Sequence, residues 1–232
     1  VLLAVVPRLV KENERRGVII QAIFRSNFVL FGLPLTIAVF GDSAASIAAM
    51  MVTVVVSIYN TTSVFILEMF NGEGKSDIKK TLKAVATNPL LQGAIVGLIF
   101  FFLGIKLPGS LVTPIAAFSN MTSPLAIYVL GGTLQFKAIR KNLKYLVPTL
   151  TCKLFILPAI IIAIAYAFGL RGLELFLLIA VYATPVAAAS YPMAQNMGGD
   201  GELAGQFVVI STAVSMFTLF LWIFFMKSVG LI

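Results

Sequence analysis

Two proline-bearing stretches, 158 residues apart, carry backbone and amide groups able to hold a small anion without a metal. The first runs from Asn27 through Gly32-Leu33-Pro34 and reaches Gly41-Asp42 seven positions after the proline. The second reads Ser190-Tyr191-Pro192 and reaches Gly199-Asp200 at the same interval. Further on, Ser57 answers Ser215 and Tyr59 answers Phe217. A proline inside a helix removes one amide donor and leaves carbonyls without helical partners. The half-helices on either side then expose N-termini, whose free N–H groups and positive dipole ends suit an anion. Pro185 and Pro192 bracket a run of small residues, with Thr184 before it and Ser190 and Tyr191 inside it. The expected binding set is therefore Asn27, Gly32, Pro34, Asn60, Asn120, Thr184, Pro185, Ser190, Tyr191 and Pro192. The plainer reading of the same prolines is a pair of packing kinks, and Asn27 and Asn60 could equally bond helix to helix.

Charges deep in apolar sequence are few. Arg25 and Lys153 each stand well inside an apolar stretch, where each could snorkel to an interface or hold a carboxylate. Asp42 and Asp200 follow glycine directly before a new helix, which points to N-capping. Asn120, with Thr122 and Ser123, could close the other side of a cavity. There is no histidine and one cysteine, Cys152. Nor is there an HExxH, Walker or nucleotide fingerprint, so metal, Cys-His, Ser-His and ATP-driven chemistry have no residues to work with. No metal or cofactor is expected, and no enzyme activity. The visible apolar stretches also hold no mid-depth Asp or Glu, the residue that cation coupling usually uses.

The elements that must position these groups are membrane helices. Hydrophobic residues make up 59% of the 232, charged residues only 11%, and mean hydropathy is +1.02. The pattern predicts a short remnant at Val1 to Val10, then seven spans at about 18–40, 43–70, 85–105, 110–136, 144–168, 173–197 and 203–226, long enough for a bilayer core. In lipid all of them must be helices. Arg8, Lys11, Arg15 and Arg16 fall in one loop, Lys75 to Lys83 in a second, and Lys137 to Lys144 in a third, all on one side. That side reads as cytoplasmic and the C-terminus as external. The net charge of +8 is thus mostly topology, and short basic clusters between spans give no nucleic-acid partner. The remnant and first two full spans correspond to the last three. A five-helix unit therefore repeats, and an odd unit inverts its second copy across the membrane, as in many secondary carriers. Residues 1–70 would close the first unit, 71–88 would form a cytoplasmic linker, and 89–232 would hold the second unit. On this reading the chain lacks two and a half N-terminal helices of a ten-helix protein.

The stretch Arg25-Ser26-Asn27-Phe28-Val29-Leu30-Phe31-Gly32-Leu33-Pro34, with Phe40-Gly41-Asp42, Asn88-Pro89-Leu90 and Ser123-Pro124-Leu125, resembles the auxin efflux carrier family. This family includes plant PIN-type exporters and bacterial permeases assigned to malate or malonate. The resemblance covers essentially the whole chain. It implies an all-α polytopic protein of two inverted five-helix repeats whose fourth and ninth helices are unwound and cross. Helices one, two, six and seven would form a scaffold, and the others a moving domain. The crossover would lie at Asn27 and Pro34 in one helix and from Pro185 onward in the other. Plant members place proline where this chain has Ser26, which shifts the expected unwinding toward Gly32 to Pro34. The implied function is a carrier, possible as a homodimer, moving small organic anions across the plasma membrane (a bacterial inner membrane being the natural host) by alternating access. The membrane potential would drive it. A cation-coupled symporter of the same architecture is the nearest rival, and a channel is disfavoured because the polar residues cluster at mid-depth instead of lining a path.

Overall fold

A computed structural model describes residues 1–71, 86–87, 89–133 and 136–232. Most of the expected linker, 72–85 and 88, lies outside these residues, as do the side chains of Thr122 and Ser123. Among the described residues the fold is helical, with one isolated antiparallel bridge, Ser26 to Val186. The helices are α1 (Leu2–Leu9), α2 (Asn13–Phe24), α3 (Leu33–Phe40), α4 (Ala45–Met69), α5 (Pro89–Phe102), α6 (Gly109–Thr133), α7 (Phe136–Thr151), α8 (Leu157–Ala167), α9 (Gly172–Tyr182), α10 (Ser190–Asn196) and α11 (Gly201–Ser228). Among the described residues, three continuous helical stretches are long and apolar enough to cross a membrane: Asp42–Met69, Ile139–Ala167 and Gly201–Ser228. Phe28–Phe40 and Gly172–Tyr182 are shorter and apolar.

The expected spans at 18–40 and 173–197 are each split in two. Gly172 to Tyr182 ends against a non-helical segment around Pro185, and the chain resumes as a helix at Ser190. The first split does not fall at Gly32 to Pro34 as expected; it falls at Arg25 to Asn27, seven residues before Pro34. The reason lies in the turn between. Phe28–Gly32 is wound as a π turn in which the Leu33 amide donates to the Phe28 carbonyl, five residues back. That wider turn delivers Pro34 to the first residues of α3, where a missing amide is tolerated and the proline leaves the helix intact. The same device recurs at Cys152–Ile156, a π turn ending two residues before Pro158. Here the Leu154 carbonyl, which a proline four residues on cannot serve, accepts instead from the Trp222 indole N–H at 2.9 Å.

Packing gathers the chain at two levels. One buried cluster joins α2 to the second half of α4, the end of α7, α10 and the start of α11 through Ile20, Val64, Leu146, Met193 and Phe207. The other joins Phe28, Ala48, Phe176, Ile179 and Met226. Gly32 is needed where the first π turn meets α9: a Cβ there would lie 2.8 Å from the Ala180 carbonyl oxygen. Large apolar side chains on the outer faces of α4 and α11, such as Met50, Ile58, Phe217 and Phe224, are exposed, as suits helices facing lipid.

The two ends of the bundle differ. At one, Arg15 pairs with Asp200 at 3.0 Å and stacks on Tyr145, and the Asp200 amide donates to the Glu14 carbonyl. A backbone hydrogen bond, then Arg15, Tyr145 and Lys144, hold the Glu12 carboxyl at this end below the usual range. Arg15 and Lys144 thus share one end, as the loop assignment requires. At the other, Phe40 packs on Phe176 and the Gly172 amide donates to the Leu231 carbonyl. Asp200 caps α11 by accepting from the Leu203 amide at 2.9 Å. Asp42 does not cap as expected, because it is itself the first residue of a short 3-10 turn, Asp42–Ala44, that leads into α4.

Candidate substrate site

The two breaks meet. The Asn27 amide donates to the Pro185 carbonyl at 2.8 Å, beside the Ser26 to Val186 bridge. Pro185 has no amide to return, so the ladder stops there. The Val186 amide goes to Ser211 Oγ at 3.0 Å. These bonds satisfy two of the donors that unwinding frees, which a lipid-embedded segment requires.

Beside this crossing lies a cavity of about 310 Å³. Arg25, Ser26 and Asn27 form one wall, Tyr59 and Asn60 of α4 a second, Ala187 to Ala189 and Met193 a third, and Ser119 and Asn120 of α6 a fourth. Its size sits at the lower bound for small-molecule sites. Of the residues singled out from sequence, Asn27, Asn60 and Asn120 line this space. Pro185 is buried and takes part through its carbonyl. Thr184 is buried, with its hydroxyl donating to the Ala180 carbonyl at 3.0 Å. Ser190 is buried at the start of α10, and its hydroxyl has no partner. Tyr191 and Pro192 are half-buried beyond the lining, Gly32 serves the contact with α9, and Pro34 is exposed, away from the crossing.

Arg25 and Lys153 do not snorkel. Arg25 is 5% exposed and Lys153 0%. Arg25 Nη2 donates to Asn60 Oδ1 at 2.8 Å, Nη1 lies against the Met193 sulfur, and Nε has no partner. Lys153 Nζ donates to Ser26 Oγ. The ion pairs among the described residues join Arg15 to Glu12 and to Asp200, and neither deep cation takes part. A buried cation without a carboxylate is costly unless something else supplies the negative charge. Sequence had shown both residues as deep charges; only the split at Arg25 to Asn27 shows that they converge on one crossing. Ala187 to Ala189 belong to the small-residue run between Pro185 and Pro192, and Ser26 stood out only as the position where plant members have proline; Met193 gave no signal, being an ordinary residue for an apolar helix.

Residues 1–223 match the family described as membrane transport protein. An uncharacterized transporter of Methanothermobacter thermautotrophicus is 25% identical over 201 residues, covering 87% of this chain and 64% of the relative. An uncharacterized transporter of Methanocaldococcus jannaschii is 23% identical over 216 residues, covering 91% of this chain and 68% of the relative. The chain thus spans about two thirds of the length of these relatives. With an apolar, all-helical body and a match along almost its whole length, the chain belongs to the membrane transport protein family, the auxin efflux carrier family that its motifs resemble.

Proposed function

We propose that this protein carries small organic anions, carboxylates such as malate, malonate or indole acids, across the plasma membrane by alternating access around the crossing. The observation that carries this reading is Arg25: a guanidinium at a cavity wall, held by an amide oxygen, with Nε open and, among the described residues, no carboxylate on it. An incoming carboxylate supplies the missing charge, and the planar donor set of arginine suits it. The amides of Asn27, Asn60 and Asn120 add donors, and Ala187 to Ala189 leave room for a short carbon skeleton.

An inverted repeat is supported by the element bounds. Shifted by the repeat offset, α9, α10 and α11 fall on α2, α3 and α4 within two residues at each end. The crossing itself pairs Asn27 with Pro185, the two positions that the offset equates. Equivalent breaks that meet are what two inverted copies produce at the membrane midplane. Arg15 and Lys144 at one end support that end as cytoplasmic, with the C-terminus outside.

Uptake of labelled malate, malonate and indole-3-acetate into proteoliposomes, with empty liposomes as the reference, tests the reading. Saturable uptake of at least one acid that Arg25→Gln lowers about tenfold or more at subsaturating concentration is expected. If no acid enters, or if Arg25→Gln transports like the parent, the anion-carrier reading is wrong.

A further inference from the structure

Lys153 is not part of the cavity lining, yet it touches the lining through one atom. It sits in the Cys152–Ile156 π turn, wholly buried, and its Nζ donates to Ser26 Oγ, the hydroxyl of a cavity-lining residue that also neighbours the Tyr59 phenol. The turn is pinned by Trp222 on the Leu154 carbonyl. Among the described residues, the titratable group beside it is Cys152 on its own turn, and its partner Ser26 is flanked by Arg25 at the end of α2 and neighbours Tyr59 on α4. The cations of α7 lie toward its far end, α8 holds only Tyr166, and α11 carries no charged residue between Glu202 and Lys227. None of these is a carboxylate facing the amine.

Resting on the carrier reading, we infer that Lys153 is a proton site, and that one proton on its Nζ travels with each anion in the cavity. The logic is in the hydroxyl. An ammonium has only N–H donors, so Ser26 accepts from it and its own O–H is left free to donate, to an anion in the cavity or, while the cavity is empty, to the Tyr59 oxygen beside it. A neutral amine has a lone pair, so Ser26 can donate to it and show the cavity only oxygen lone pairs. The first state offers an anion a donor backed by a full charge; the second offers neither. A buried ammonium that, among the described residues, has no carboxylate partner is in turn costly until an anion arrives. Anion and proton therefore favour each other's binding, and the coupling is reciprocal. In the cycle, the Nζ lone pair binds a proton from water on the side where the anion enters, and that N–H bond breaks on the other side after the anion leaves. Nothing is oxidised or reduced. A monocarboxylate then crosses with no net charge, so the pH gradient drives it where the potential alone would not.

The test uses purified protein in proteoliposomes clamped at zero potential with potassium and valinomycin, with pyranine inside and labelled malonate and indole-3-acetate as probes. A one-unit pH gradient, acid outside, should drive about tenfold accumulation of the transported probe, the ratio that one proton per anion sets, with acidification of the lumen. Lys153→Arg keeps the charge but cannot release it; it should exchange labelled for unlabelled probe and accumulate none from the pH gradient. Ser26→Ala, which leaves the amine and removes the relay, should lose the same accumulation. Parent protein that exchanges probe yet shows no accumulation and no lumen acidification overturns the proton site while the carrier reading stands. So does Lys153→Arg with undiminished accumulation. Parent protein that exchanges neither probe overturns the carrier reading, and the proton site with it.

Discussion

The two breaks, 158 residues apart in sequence, are made differently. The one at Pro185 is at its proline: α9 stops at Tyr182, the chain runs through small residues, and helix resumes at Ser190. The one at Arg25 to Asn27 has no proline, and the nearby Pro34 is absorbed by a π turn. The break at Arg25 to Asn27 supplies cationic and amide groups; the one at Pro185 supplies room. A proline in a membrane helix therefore marks a place where the ladder is adjusted, and the adjustment can be spread over a turn or concentrated in a gap. Where a hydrogen-bonding partner waits on the opposite segment, the gap moves to it.

The contrast can be tested by substitution. Arg25→Gln should lower uptake at subsaturating malonate by about 10- to 100-fold, the worth of a hydrogen bond to a charged group, measured as the initial rate in proteoliposomes. On the opposite wall, Ala188→Leu should leave the charge chemistry intact and select against the larger acids of the panel. Gly32→Ala should destabilise by about 1–3 kcal/mol, because its methyl meets the Ala180 backbone and the contact cannot yield, read by thermal unfolding in detergent. At the ends, Asp200→Ala should cost about 1 kcal/mol for the lost cap, with the Arg15 pair lost as well, whereas Asp42→Ala should stay within about 0.5 kcal/mol. Pro34→Ala should be smallest of all, within about 0.5 kcal/mol and with uptake unchanged, since Pro34 is exposed and the break lies upstream. A large loss of uptake in Pro34→Ala would return the crossover to Gly32 to Pro34.

Much of the architecture was legible in the residues. Hydropathy marked the long helices, and the repeated proline and Gly-Asp spacing pointed to the two segments whose breaks meet. Asn27, Asn60 and Asn120 stood out because amides are expensive in apolar helices, and the structure sets them around one cavity. The position of the first break was not legible, because a π turn leaves no periodic trace in five residues and its effect is to hide the proline. The fate of Arg25 and Lys153 was not legible either. Snorkelling and inward burial place the same residue at the same depth, and only the direction of the side chain separates them.

The Trp222 indole, bound to the Leu154 carbonyl, is the only tryptophan in the chain. Its near-ultraviolet emission is consequently a single-site optical probe of the π turn that carries Lys153, with no label and no background from a second indole. A rearrangement of that turn during a transport cycle would alter the hydrogen bond and displace the emission maximum, so stopped-flow fluorescence on unmodified protein can time it directly.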